Sequence, residues 1–231
     1  MHKFVLTLIT FVLLSVNVCL SAEDELRLDK AIYHQSAVMK TGFRLLNSNL
    51  YDKRITFYYT VESKPRVIIN DRAKRITITK GVLPYIDNED EMAAVLSTAI
   101  AHLMDVHGGF FRRFSMSFSP RKYEVKADKR AVDLMVNAGY NPVALIILIN
   151  KTAKQPSWFE YNIFHHRGSE RVAYLYQYIY EKYPLFLAKN EYLASPYYQN
   201  FLYTTKTQRK NVRMLREELI KRDRTKPINT K

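Results

Sequence analysis

Between residues 87 and 109 apolar side chains return every three or four positions, at Met92, Val95, Leu96, Ala99, Ile100, Leu103 and Val106. This spacing predicts one long helix. Asp87, with Asp90 three residues on, is the expected N-cap, and Gly108 with Gly109 the stop. At ~100° per residue, Thr98 and His102 fall together at the edge of the apolar stripe, a flank that can look into a cleft. Upstream, Leu26, Leu28, Ile32, Val38, Met39, Phe43 and Leu46 are spaced for one face of a helix over 23–46. Three short runs, 55–60, 66–69 and 75–80, read as strands, and Asn70 with Asp71 marks a turn between the last two. Ile76, Thr77, Ile78 and Thr79 alternate apolar and polar in the manner of an edge strand.

Beyond Gly109, residues 110–120 are aromatic and basic without a clean period. They read as a packed connection, the alternative being a flap over the cleft. Helices are expected at 121–138, ended by Gly139, at 141–149 behind Asn141 and Pro142, and at 169–183 before Pro184. Another starts at Ser195 and Pro196, and a last one covers 208–224, strongly charged with Val212, Leu215, Leu219 and Ile220 to one side. No internal repeat is evident.

The N-terminus changes this picture of a plain globular chain. A short basic start precedes an apolar run over 4–18, and Leu20, Ser21 and Ala22 offer small residues for cleavage. About 15 apolar residues fall short of the ~20 that span a bilayer, so residues 1–22 read as a signal peptide. A single domain over 23–224 and a basic, disordered tail over 225–231 complete the expected organisation. The one cysteine, Cys19, lies in the leader behind Val18, which is the wrong neighbour for lipidation. An exported chain without another thiol has no disulfide to rely on, and the expected location is the periplasm or the exterior.

The formal charge is +14. A Lys-rich solvated surface accounts for it. A second consequence is weak contact with anionic envelope surfaces through the long-range field, not through a defined site. No interleaved aromatic and basic motif marks a nucleic-acid module.

The central stretch EDEMAAVLSTAIAHLMDVHGG, residues 89–109, resembles the catalytic helix of the HtpX/BepA-like zinc metallopeptidases, relatives of the CAAX prenyl proteases. Their core is HExxH within a D-E-L-A-A-V-L-x-H-E-I-A-H-x-x-x-R-H-G type of run. On that motif Thr98 stands at the first His and Ala99 at the Glu, while His102 is retained. Glu124 to Asp128, EVKAD, matches the family's E-x-x-A-D, and the following KRAVDLMVNAGYNPVA is similar to its next block. His165 falls at the His of a T-H-P-x-[ST]-x-x-R segment that ends at Arg171, with His166 replacing the Pro. The likeness covers about residues 57–175.

The resemblance implies an α+β, zincin-like (gluzincin) fold: a small, mostly antiparallel sheet of about three strands on a mainly helical body. It implies His102 and Glu124 as metal ligands, Asp128 and Arg171 as supporting residues, and the strand Ile76, Thr77, Ile78, Thr79 as an exposed edge that pairs with extended peptide. The chemistry explains why the replacements matter. Two His at i and i+4 bind one Zn²⁺ as neutral imidazoles, a downstream Glu is the third ligand, and the motif Glu takes the proton of the metal-bound water. Thr98 is a poor ligand and Ala99 accepts no proton. The expectation is therefore a degraded zinc site in a non-catalytic pseudopeptidase that binds peptide segments or an envelope partner. The alternative is an active zinc metalloendopeptidase using His102, Glu124 and His165. Without metal, a hydrogen bond from His102 to Glu124 is expected to join the two helices, and His107 is expected to pack at the helix end.

Overall fold

The structure, a computed structural model, describes residues 2–51, 54–106, 120–152 and 168–225, with side chains at 25–51, 54–104, 124–152 and 168–222. The described elements run α1 (His2–Ser48), β1 (Thr56–Thr60), β2 (Val67–Asn70), β3 (Arg75–Thr79), a 3₁₀ turn (Lys80–Tyr85), α2 (Glu89–Val106), α3 (Pro120–Asn137), α4 (Val143–Thr152), α5 (Gly168–Lys182), α6 (Pro184–Ala188), α7 (Pro196–Thr204) and α8 (Lys206–Thr225). The chain is mainly helical with one small sheet, an α+β arrangement. The boundary expected after Ala22 falls inside α1, which runs without a break from His2 to Ser48. His107, His165, His166, the connection 110–119 and the tail beyond Thr225 lie outside the described residues. Among the described residues no helix is long and apolar enough to cross a membrane.

The three expected strands form, but in a different order. β3 lies in the middle, parallel to β1 and antiparallel to β2. The sheet is therefore mixed, not mostly antiparallel, and the expected edge strand is the central one. Ile76, Ile78 and Thr79 are buried, as is Thr77 opposite Ile68. The alternation of Ile and Thr reflects two covered faces, with the Thr79 hydroxyl accepting from Arg66 N–H and donating to Lys64 C=O. The outer edge of β1 is met by α1. The Gln35 side-chain amide donates to Phe57 C=O at 2.9 Å and accepts from Tyr59 N–H at 2.7 Å. One amide thus stands in for a residue of a neighbouring parallel strand.

α2 begins one residue later than its pattern suggests. Asn88, not Asp87, is the N-cap: its Oδ1 accepts from Glu91 N–H, while the Glu91 carboxylate reaches back to Asp87 N–H, both at 2.9 Å. This is the reciprocal satisfaction of a capping box, displaced by one position. Lys151, at the end of α4, closes the same corner with 2.6 Å bonds to Asp87 and Glu91. α3 ends in a Schellman motif at Gly139, φ +74°: Tyr140 N–H reaches Met135 C=O and Gly139 N–H reaches Val136 C=O. Gly81 is needed for a different reason, since a Cβ there would enter the backbone of residues 63–65.

α2 is the axis of the core. Ala93, Ala94, Val95, Leu96, Ala99, Ile100, Ala101 and Leu103 are all fully buried, and the helix packs against α1, α3, α4, β2 and β3. Its run of Ala and Ser lets these neighbours approach closely. α4 is apolar around its whole circumference from Val143 to Ile149 and is buried to match.

Candidate functional site

α2 and α3 pack along each other and bring His102 and Glu124 to one region, which the first turn of α5 enters with Arg171. The guanidinium is buried and grips Asp128 with two bonds, Nε to Oδ2 at 2.7 Å and Nη2 to Oδ1 at 2.6 Å. Its remaining arm, Nη1, donates to Glu124 Oε1 at 3.4 Å. This fork explains why an Arg and an Asp can both be buried here: each satisfies the other's charge with bonds in the geometry that a planar guanidinium offers.

Burial disfavours the charged form of both candidate ligands. Burial pushes Glu124 up to about 7; Arg171 opposes this rise and Asp128 adds to it. Burial, and then the nearby Arg171 charge, pushes His102 down to about 3. The imidazole is therefore neutral at any ordinary pH, and among the described residues its buried Nε2 has no hydrogen-bond partner. The expected His102–Glu124 hydrogen bond is not made at this nitrogen, and the Glu124 carboxylate turns to Arg171 instead. Asp128 accepts from Arg171 at both of its oxygens.

Thr98 and Ala99 are buried in the core of α2. The Thr98 hydroxyl donates to Ala94 C=O at 2.8 Å, a bond back to its own helix. The wheel position that suggested a cleft-facing flank is met by packed neighbours.

Among the described residues no group of three His, Cys, Asp or Glu side chains is placed to hold a metal ion. His102 has the neutral form a metal needs, but Glu124 must first lose a proton that burial retains, and a guanidinium already competes for its oxygen. His165, the third donor of the alternative set, lies outside the described residues.

Among the described residues the sheet leaves its unpaired side on β2, and the strand Ile76, Thr77, Ile78, Thr79 is not an edge. Thr79 N–H bonds Arg66 C=O, so in the antiparallel pair the backbone groups of Val67 and Ile69 point away from β3. Among the described residues no strand pairs with that side of β2. The signal that could have found it is the turn at Asn70 and Asp71, which commits one side of β3 to β2. The other side is taken by a parallel pairing that no local pattern announces.

No family model and no curated protein matches the chain.

Proposed function

We propose that this chain is a peptidase-like binding protein of the cell envelope, exported by its N-terminal segment, zincin-like in fold and without hydrolytic activity. The observation that carries the reading is Ala99, a buried methyl group where the peptidase-like motif needs a proton acceptor. Such an acceptor contributes roughly 10²- to 10⁴-fold in rate. Thr98 supports the same reading, since its hydroxyl is spent within its own helix. The retained activity is capture of extended protein segments by β-augmentation, which uses backbone groups and tolerates many sequences. The outer side of β2, not β3, is the strand that suits it.

Two measurements test this. Protein purified without added zinc is expected to carry no stoichiometric metal and to leave an unfolded substrate such as reduced casein intact. Zinc at one equivalent with chelator-sensitive cleavage overturns the reading. On addition of the unfolded substrate, the amides of Val67 and Ile69 are expected to gain protection from hydrogen exchange, with those of β3 unchanged. No gain at β2 removes the peptide-binding half.

The second reading, a working zinc metalloendopeptidase with His102, Glu124 and His165, is favoured by one observation: the buried Nε2 of His102, which has no hydrogen-bond partner among the described residues. Under it, His102→Ala and His165→Ala each remove both metal and cleavage. Metal content unaffected by either substitution counts against it.

A further inference from the structure

The C-terminal helix has two differently built sides. Val212 is its buried anchor where α8 packs on α5. Arg209 turns inward over the rings of Tyr176 and Phe201, at 5.2 and 5.3 Å from their centroids. Arg216 reaches Glu181 on α5 at 3.1 Å. These contacts fix which side of α8 faces the body.

Roughly 100–180° round the helix from Val212, at ~100° per residue, Lys206, Lys210, Arg213 and Lys221 share one sector, and all four are exposed. Glu217 is the acid among them and is held by Arg213 at 3.0 Å. Ile220 borders this sector on one flank and Met214 on the other, 39% and 46% exposed respectively. The order across the surface is aliphatic, cationic, aliphatic.

Neither part explains the other if water is the only neighbour. Cations alone attract any polyanion. Two aliphatic side chains left half in solvent along the same sector gain only when apolar surface is buried beside the charges. A lipid interface supplies both: anionic headgroups for the Lys and Arg ends, and the acyl boundary for the aliphatic flanks and the lysine stems. A nucleic acid would meet only the charges, and the sector holds no aromatic or amide side chain to stack on bases or read them.

We propose that the outward sector of α8 is a docking surface for an anionic lipid bilayer. The helix lies along the interface, with Lys206, Lys210, Arg213 and Lys221 at the phosphates and Met214 and Ile220 entering beside them. This replaces a diffuse attraction of the whole +14 chain by a defined face, and it stands independently of the peptidase-like reading.

The test uses the full chain and sedimentation with vesicles of phosphatidylcholine alone or with a quarter phosphatidylglycerol. Binding is expected to the anionic vesicles only, and to weaken as salt rises. A cation near such a surface contributes about fivefold in partitioning, so Lys210→Glu with Arg213→Glu should lower it at least tenfold. Met214→Ser with Ile220→Ser keeps every charge and should lower it severalfold. These positions are exposed, and unchanged thermal unfolding of both variants verifies that the fold is intact. Equal binding to neutral vesicles, no binding at all, or indifference to the double charge reversal overturns the proposal. So does indifference to the serine pair, and so does equally tight binding to duplex DNA; these last two mark a general polyanion surface.

Discussion

Arg171 decides the electrostatics of the candidate site. With its fork on Asp128 and a third contact on Glu124, it supplies the positive charge around which two acidic side chains can be buried. Replacing it with Met leaves Asp128 buried without its partner, and a loss of about 3–5 kcal/mol is expected in chemical denaturation. A loss below 1 kcal/mol would mean that the fork is dispensable. Glu124 makes the opposite kind of prediction. Its folded value of about 7 lies above its ordinary 4.5, so between those pH values the folded protein holds a proton that the unfolded chain releases. Stability therefore falls as pH rises from 4.5 to 7. Glu124→Gln removes that loss: the variant is expected to be more stable than the parent by about 1–3 kcal/mol at pH 8, with the titration-dependent gain gone at pH 4. A constant difference across that range would refute the assignment. The family likeness groups His102, Glu124, Asp128 and Arg171, and the structure brings these four side chains to one region. The likeness misassigned the partners within the group. Whether a carboxylate turns to an imidazole or a guanidinium depends on three helices meeting, and no single helix encodes that.

At the scale of elements, helices were the legible part. Periodicity, Asn141 with Pro142, Ser195 with Pro196 and Gly139 mark starts and stops that chain chemistry itself enforces. The short α6 (Pro184–Ala188) is not announced by the pattern, because Pro184 marks the end of one helix and proline equally suits the first turn of the next. Strand existence was legible and strand order was not: alternation reports which faces are covered, not who pairs at the edges. Gln35 shows the same limit. It sits in a helix, yet it serves the sheet by bonding Phe57 and Tyr59. Gln35→Ala leaves one donor and one acceptor of β1 without this partner. A loss of about 1–2 kcal/mol is expected, together with faster exchange of the Tyr59 amide. An unchanged exchange rate there would show that solvent already serves that edge.

For the molecule as a whole, the amide of Gln35 has a consequence beyond stability. A sheet with two bare margins can be extended from both, so copies can add without end and build fibres. Here one margin is met from within the chain by Gln35, and among the described residues β2 is the strand left to recruit another. Association through the sheet then stops at a symmetric pair whose two β2 strands lie side by side, and the same margin cannot hold a captured segment and a second copy together. Sedimentation of concentrated protein should show nothing larger than a dimer by this route, and an unfolded client should dissolve that dimer. Gln35→Ala, by baring the second margin, is the substitution that should let the chain polymerise.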